Sequence, residues 1–414
     1  MSEWKVVSLE ECLEKVIDYR GRTPKKLGKD WLKDGEYRAI SANNVKFDGL
    51  IREESIYRGD EELYKLWMKD EVERGDILLT SEAPSGQAMI WNSDEKIILS
   101  QRLYGLRVNK NLVDNYYLKY FIQSPIGQKS IVRNNSGSTV SGISAKTFKN
   151  IKILIPDLEK QQAISKILLT IDQKIQINNQ INQELEAMAK TLYDYWFVQF
   201  DFPDQNGKPY KSSGGKMVYH PELKREIPEG WGVEKLKYFS KYVSDKVESS
   251  ELNIENYVGT DNMIADMGGI ELTTSIPKSG TSTKFSIGDI LISNIRPYFK
   301  KIWLSDRVGG CSSDVLCIRT KKIVSREFVF ATLARDHFFN YDVAGSKGSK
   351  MPRGDKKHIM EYPIVFDFEI ADQFSKIVRP IYEAVHKNYI QNQELTQLRD
   401  WLLPMLMNGQ VKVE

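Results

Sequence analysis

The feature that most constrains the fold of this chain is an internal repeat that spans about half of it. Five short matches occur in the same order in both halves: Trp4 with Trp231, Gly75–Leu78 with Gly288–Leu291, Gly137–Ser138 with Gly345–Ser346, Ser165–Ile167 with Ser375–Ile377, and Asn182–Leu185 with Asn392–Leu395. The last two matches share an offset of 210 residues, and the earlier offsets differ slightly, as loops of different length require. A repeat of this size is a domain rather than a solenoid unit. The 414-residue chain is therefore predicted to be a duplication of one module, a globular domain followed by a helix.

The helical part of each module is predicted to be unusually long. No proline or glycine occurs from Leu158 to Phe200, and apolar residues recur there at heptad spacing in two seams. The same seams recur 210 residues later, and both helices place asparagine at the same two seam positions, namely Asn178, Asn182, Asn388 and Asn392. Because asparagine in an apolar seam costs stability but fixes register, we predict that the helices pair antiparallel and that the four asparagines meet. The alternative is that each helix packs on its own domain with these asparagines in water.

The predicted fold class is α+β, with two mixed α/β domains separated by two long antiparallel coiled-coil helices in a pseudo-twofold arrangement. The predicted boundaries are a first domain at 1–156, a helical spacer at 157–200, a linker at 201–229, a second domain at 230–366 and a second spacer at 367–410. An aromatic cluster at the end of the first helix, Tyr193–Phe200, is interpreted as a packing plug or a site for a partner. Arg399 departs from the apolar pattern of the second seam.

Composition excludes several classes of protein. The three cysteines form no CxxC pair, which argues against a disulfide framework or a zinc knuckle. No run of about 18 apolar residues occurs, so no membrane span is expected, and the N-terminus lacks the apolar stretch of a signal peptide. We therefore expect a cytoplasmic protein. The net charge of +3 is too small to indicate a partner, so any nucleic-acid signal has to come from local clusters of charge.

Such clusters occur at matching places in the two halves. The stretches 128–156 and 343–354 contain no acidic residue, and both carry lysine and arginine beside a Gly-Ser loop. Cations, hydroxyls and amides on such loops can grip phosphates and read base edges. A solvated surface is the better explanation of any single loop, but matched loops in both halves favour nucleic acid. The candidate DNA-binding residues are Arg20, Arg22, Thr23, Lys25, Asn43, Asn44, Ser81, Arg133, Asn134, Asn135, Ser138, Thr139, Lys146, Asn294, Arg296, Tyr298, Ser346, Lys347, Ser349, Lys350 and Arg353.

The motifs of an enzyme are missing from the sequence. No GxxxxGK[ST] or GxGxxG occurs, and no Asn or Asp precedes Pro-Pro-Tyr or Pro-Pro-Phe, as it does in the usual amino-methyltransferase loop. The four histidines are scattered without an HxxxH spacing. Asp157 with Glu159-Lys160 lacks the spacing of a nuclease site and is interpreted as the first turn of the helix. We therefore predict neither catalytic residues nor metal ligands in this chain.

The duplicated order of these features resembles the specificity subunit of type I restriction–modification enzymes over nearly the whole chain. The resemblance rests on Trp4 or Trp231, the Gly-Asp-Ile-Leu turn and strand, the Gly-Ser loop, a strand that ends near Pro156, and the long Gln-rich helix. The resemblance implies two target-recognition domains, two helical spacers and no cofactor in this chain. It also implies double-stranded DNA as a partner, methyltransferase subunits that bind S-adenosylmethionine, and restriction subunits that use ATP and Mg²⁺.

Two other functions remain open at this point. One is a methyltransferase or nuclease fusion enzyme, against which the missing motifs argue. The other is a coiled-coil scaffold without a DNA role, against which the acid-free basic loops argue. If the resemblance holds, each domain reads one half of a bipartite DNA target, and the helix pair sets the unread gap between the halves.

Overall fold

The computed structural model of the chain describes residues 4–135, 142–348 and 350–411. The chain divides into two compact units, one of residues 1–178 with 391–414 and the other of residues 179–390. Each unit thus contains one globular domain and parts of both long helices. The predicted α+β class is confirmed, whereas the exact domain boundaries given above stay predictions.

The first unit begins with the elements of the first domain. Its strands are β1 Lys5–Ser8, β2 Leu13–Asp18, β3 Tyr37–Ile40, β4 Val45–Lys46, β5 Gly49–Leu50, β6 Tyr57–Gly59, β7 Ile77–Thr80, β8 Ala88–Ile90, β9 Ile98–Leu99, β10 Leu103–Val108 and β11 Lys152–Ile155. Its helices are α1 Leu9–Cys12, α2 Glu61–Trp67, α3 Asn115–Gln123, α4 Pro125–Arg133, α5 Ala145–Lys149 and the start of α6 Leu158–Tyr193. The antiparallel sheet β2-β10-β7-β8 is central, β1 pairs with β11, and β6-β3-β9 forms a second layer.

The second unit repeats this plan. Its strands are β12 Met217–His220, β13 Arg225–Pro228, β14 Gly232–Lys235, β15 Ser240–Tyr242, β16 Lys246–Glu248, β17 Tyr257–Val258, β18 Thr281–Phe285, β19 Ile290–Ser293, β20 Ile302–Leu304, β21 Gly309–Cys311, β22 Val315–Thr320 and β23 Pro363–Phe366. Its helices are α7 Leu236–Phe239, α8 Arg326–Leu333, α9 Asp336–Gly345, α10 Lys356–Met360 and the start of α11 Phe368–Met407. The sheet β15-β22-β19-β20 corresponds to β2-β10-β7-β8, and the pair β14–β23 corresponds to β1–β11.

The central strands are buried because both faces of the sheet are covered. All four residues of β7 and all four of β19 are buried, and both strands follow a Gly-Asp turn. Asp76 is buried in an ion pair with Arg107, with Nη2 2.8 Å from Oδ2, and Asp289 pairs with Arg319 at 2.7 Å. The repeated Gly-Asp-Ile-Leu motif therefore marks the turn that anchors the central strand of each sheet.

Both long helices begin behind an aspartate. Asp157 Oδ1 accepts from Lys160 N at 3.0 Å, and Asp367 Oδ1 accepts from Ile370 N at 3.0 Å, which satisfies otherwise free amides of the first turn. Asp157, which the sequence assigns to the first turn of the helix, thus caps that turn. Helix α6 has 36 residues and continues into a wider, π-helical turn at Asp194–Val198, and α11 has 40 residues.

The asparagines of the two helices meet, as predicted, in each unit separately. In the first unit Asn178 Nδ2 donates to Asn392 Oδ1 at 2.9 Å and to Gln391 Oε1 at 2.8 Å. In the second unit Asn388 Nδ2 donates to Asn182 Oδ1 at 2.8 Å. Residue numbers rise along one helix as they fall along the other, so the helices pack antiparallel. The alternative, in which the asparagines face water, is wrong, because Asn178, Asn182 and Asn392 are buried.

Arg399 interrupts the apolar seam but has a part-buried ion-pair partner in the first unit. Its Nη1 lies 3.0 Å from Asp172 Oδ1 on α6. The same carboxylate accepts from Tyr120 Oη at 2.7 Å and lies 3.4 Å from Lys119 Nζ, both on α3. The charged residue therefore ties the helix pair to the first domain, where the sequence suggested only a weakened seam.

The aromatic cluster after α6 is part of the core of the second unit. Tyr193, Trp196, Phe197 and Phe200 are buried and pack with Phe374 and other apolar residues of that core. This favours the packing interpretation over a partner site. Inside the predicted linker 201–229, the strands β12 and β13 form a hairpin, and Phe202 and Ile227 join the same core.

Candidate nucleic-acid interface

In the first domain the loop that leaves β7 lies against the chain that follows α4. Ile143 N donates to Ser81 O at 2.8 Å, and Glu82 and Gly142 form an isolated antiparallel bridge. Asn135 Nδ2 donates to Ser85 Oγ at 2.8 Å. Two loops that the sequence marked separately as candidates therefore form one surface.

The second domain pairs the corresponding loops in the same way. Gly354 N donates to Asn294 O at 3.2 Å, Arg296 N donates to Pro352 O at 2.8 Å, and Ile295 and Arg353 form an isolated antiparallel bridge. In each domain the loop after the central strand is thus held by a later segment of the chain. The first loop pair consists of the loop after β7 and the segment after α4, and the second loop pair consists of the loop after β19 and the segment after α9.

The cations of the second loop pair are exposed and weakly held. Lys347 Nζ lies 2.5 Å from Asp355 Oδ2 but its side chain is 80% exposed, and Arg353 Nη2 lies 3.2 Å from Asp314 Oδ1. The hydrogen bond from Lys347, with two backbone N–H groups of α10, holds the pKa of Asp355 at about 2. Lys350 is exposed. Because exposed ion pairs contribute about 0–1 kcal/mol, Lys347 and Arg353 can exchange their carboxylates for phosphates at little cost.

Further candidates lie on the same two loop pairs. In the first domain Arg133, Asn134 and Lys146 are exposed, and Asn134 Nδ2 donates to Ser130 O at 2.8 Å. In the second domain Tyr298 is 48% exposed.

Some candidate side chains form contacts within the first domain. Arg20 forms two hydrogen bonds with Asp18 at 2.9 Å and lies 4.1 Å from the centre of the Tyr104 ring. Arg22 donates to the carbonyls of residues 66 and 67, and Thr23 caps the short helical turn Pro24–Leu27. Asn44 is buried and its Oδ1 accepts from Ser41 Oγ at 2.8 Å.

The remaining candidates divide between exposed and internal positions. Lys25 and Asn43 are exposed, whereas Ser346 Oγ donates to Val343 O at 2.8 Å and so closes the end of α9. Ser138, Thr139 and Ser349 lie outside the described residues. The structure thus brings most candidates to the two loop pairs and gives Arg22, Thr23 and Asn44 local structural contacts.

Buried polar atoms without a hydrogen-bond partner collect at both loop pairs. Among the described residues they include Ser81 Oγ and Asn135 Oδ1 in the first domain, and Asn294 Oδ1, Arg296 Nε and both carboxylate oxygens of Asp342 in the second. Unsatisfied buried groups are rare in folded proteins and are often found at functional sites. Sequence reasoning missed Asp342. When α4 and α9 are aligned by their first residues, Pro125 and Asp336, this acid stands opposite an apolar residue, Ile131.

Neither a metal site nor a membrane span is found in the part of the chain that the structure describes. No group of three or more histidine, cysteine, aspartate or glutamate side chains is placed to hold a metal ion there. No described helix combines the length and the apolar character that crossing a bilayer requires.

Comparison with known proteins places the chain in a family. The family described as "Type I restriction modification DNA specificity domain" matches residues 1–187. Two similar proteins of Methanocaldococcus jannaschii are the type I restriction enzyme specificity subunits MjaIX and MjaX. The first is 25% identical over 361 residues, which cover 82% of this chain and 78% of that protein. The second is 30% identical over 433 residues, which cover 100% of this chain and 94% of that protein.

A solved structure has the same fold. The crystal structure of the S subunit of a type I restriction–modification system from M. genitalium superposes with a TM-score of 0.61 at 15% identity, covering 98% of this chain and 96% of the other. With a duplicated α+β architecture, paired long helices and a 30% identical relative along its whole length, this chain belongs to the DNA specificity subunits of type I restriction–modification enzymes, the non-catalytic component of those enzymes.

Proposed function

We propose that this specificity subunit reads a bipartite DNA target, one half-site through each loop pair. The observation that carries the proposal is that the same two loops are paired in both domains and carry exposed cations in both. In this proposal each loop pair enters a major groove, because that groove distinguishes all four base pairs. The long helices fix the unread gap between the half-sites.

The exposed cations and the buried polar groups have different roles in this proposal. Arg133 and Lys146 in the first domain, and Lys347, Lys350 and Arg353 in the second, contact phosphates and so supply affinity that falls with salt. Base discrimination comes from the amide and hydroxyl groups at the root of each loop pair, such as Asn135 and Asn294. The first set should therefore change affinity for every sequence, and the second set should change sequence preference.

We propose that the helices provide two equivalent docking places for partner subunits. Ile167 on α6 and Ile377 on α11 are matched by the repeat and are 38% and 46% exposed. Met188 and Leu398 are matched in the same way and are 58% and 44% exposed. The first unit thus exposes Ile167 and Leu398, and the second unit exposes their repeat counterparts, Ile377 and Met188. Exposed apolar side chains that recur at matched positions favour a docking surface.

We propose that one methyltransferase subunit docks on the helices of each unit and that restriction subunits join through them. S-adenosylmethionine, ATP and Mg²⁺ then belong to those partners. In purified complexes, Leu398→Glu should lower methyltransferase stoichiometry from two to one, and Ile377→Glu should do the same through the other unit. A charge at the exposed Gln180 is the control. Retention of two methyltransferase subunits by both variants contradicts this docking surface.

DNA reading is tested by changing one loop pair at a time. In the assembled methyltransferase complex, Asn294 at the root of the second loop pair becomes alanine. In a second variant Asn135 at the root of the first loop pair becomes alanine. Binding is measured by competition against DNA with base changes in either half-site. The first variant should lose discrimination at one half-site and the second should lose it at the other, so each serves as the control for its partner. Retention of both half-sites by both variants contradicts the proposal.

A further inference from the structure

Asp342 on α9 is a buried acid that the fold leaves without a hydrogen bond. The residue is 0% exposed, and neither carboxylate oxygen has a hydrogen-bond partner among the residues that the structure describes. Burying an ionised carboxylate without a donor is costly. At the corresponding position of α4 the first domain has Ile131, which is buried and apolar. The fold itself therefore does not require an acid at this position, and the acid belongs to the second domain alone.

The acid and the amide of Asn294 both lie beside Gly354 at the root of the second loop pair. Asn294 Oδ1 is buried and has no partner in the described chain. A Cβ atom on Gly354 would overlap Asp342 Oδ1 and would lie 2.8 Å from Asn294 Oδ1. The two oxygens therefore converge on the same small space beside the Gly354 backbone. Two acceptors that share this space form a hydrogen bond if one of them carries a proton or if the amide turns over.

The two ends of an asparagine amide offer opposite groups to DNA. When Oδ1 points inward, the outward NH₂ donates to the keto groups of guanine or thymine. When the NH₂ points inward, the outward Oδ1 accepts from the amino groups of adenine or cytosine. A protonated Asp342 donates to Asn294 Oδ1, and an ionised Asp342 attracts the NH₂ instead. The proton on Asp342 thus decides which end of the amide faces outward.

We propose that Asp342 is a positioning residue that sets the orientation of the Asn294 amide and thereby the hydrogen-bonding group that the second domain presents to a base. This inference rests on the proposed DNA reading by the second loop pair and names the residue behind its base preference.

The surroundings of Asp342 support a change of state near neutral pH. Burial raises the pKa of Asp342 to about 6, and the nearby His358 on α10 lowers it in part. Tyr242 on β15, Asp355 at the start of α10 and Tyr341 beside His358 are further titratable groups in this region. Arg296 supplies a buried N–H without a partner on the same loop. The orientation with Oδ1 inward corresponds to the protonated acid.

The experiment measures base preference at every position of both half-sites, with the assembled methyltransferase complex, at pH 5.5 and at pH 8. For the unchanged protein we expect one position of the second half-site to favour guanine or thymine at pH 5.5 and adenine or cytosine at pH 8. The change in preference should be roughly 5- to 150-fold, the range that one good base contact provides. Asp342→Asn donates to Asn294 Oδ1 permanently, so it should keep the low-pH preference at pH 8. His358→Gln, the control for a second titrating group, should leave the pH-dependent change intact.

The outcomes separate this inference from the proposed function. If Asp342→Asn shows the preference of the unchanged protein at both pH values, or if His358→Gln abolishes the pH effect, the positioning role of Asp342 is overturned. Asp342→Ile, which copies the first domain, should weaken discrimination at that one position and leave the first half-site unchanged. A merely structural role would instead lower affinity for all sequences equally. If the unchanged protein discriminates at neither half-site, the proposed DNA reading itself fails.

Discussion

The hydrogen bond between Asn182 and Asn388 allows a direct measurement of how the helix pair is held in register. Asn182 is 4% exposed, and its Oδ1 accepts from Asn388 Nδ2 at 2.8 Å within the second unit. Asn388→Leu removes the donor and leaves a buried carbonyl oxygen unpaired. An unpaired buried polar group costs about 1–3 kcal/mol, so we expect the free energy of unfolding to fall by roughly that amount.

The double substitution should behave differently from the sum of its parts. With leucine at both 182 and 388 no polar group is left unpaired, and the two side chains pack in the apolar seam. Replacing both partners of a hydrogen bond by apolar groups is close to neutral or stabilising, so the double variant should regain most of the loss. The expected coupling between the two positions is about 1–2 kcal/mol.

Urea unfolding of four full-length proteins, followed by circular dichroism, provides the double-mutant cycle. Gln180→Leu, on the exposed side of α6, is the matched control and should change stability by less than about 0.5 kcal/mol. If the effects of Asn182→Leu and Asn388→Leu simply add, the hydrogen bond does not hold the register and the reasoning is refuted.

Three further changes test other parts of the molecule. Asp172→Ala leaves the buried cation Lys119 without its ion-pair partner and leaves the part-buried Arg399 to Asp48 and Asp400, so it should cost about 3–5 kcal/mol in urea unfolding; a loss under 1 kcal/mol contradicts this. Inserting one heptad after Leu185 should lengthen or abolish the recognised gap, measured as the spacing of methylated bases; unchanged spacing and affinity would show that the helices do not set it. Asp342→Asn should raise the free energy of unfolding at pH 8 by up to about 3 kcal/mol and change it little at pH 4. The pKa of Asp342 is about 6 in the folded protein and 3.8 in the unfolded chain, so the folded protein keeps this proton to higher pH. The stability of the unchanged protein therefore falls as pH rises from about 4 to about 6, and the asparagine variant lacks this loss. Equal urea midpoints for variant and unchanged protein at pH 8 would contradict it.

The helix pairing was predictable because it depends on period and position. Heptad spacing locates the seam, and asparagine at the same two places in both repeats identifies where the seams meet. Arg399 illustrates the limit of this reasoning, because a charged residue in a seam is unfavourable until its partner is known. Asp172 is 227 positions away in the sequence, and no local pattern links the two residues.

The loop pairs were predictable in kind but not in detail. Matched basic stretches indicated segments that the structure places at the loop pairs, but which loops lie against each other depends on the sheet order. Cations of the same basic stretch also differ in their environment. Lys25 is exposed, whereas Arg22 donates to backbone carbonyls at the end of α2. The nearness of Asp342 and Asn294 to the same glycine could not be foreseen, because it depends on how α9 packs against the loop after β19.

The division of the chain between its two units has a consequence for synthesis on the ribosome. The second unit is one continuous stretch, whereas the first needs residues from both ends of the chain. Leu403, Leu406 and Met407 belong to the same buried core as Leu9 and Ile164. At about 5–20 residues per second, roughly 10–40 s separate the emergence of residue 178 from that of residue 391. The domain that is made first is therefore the last to be finished, because its apolar core stays incomplete until the helical turns that carry Leu403, Leu406 and Met407 have been made.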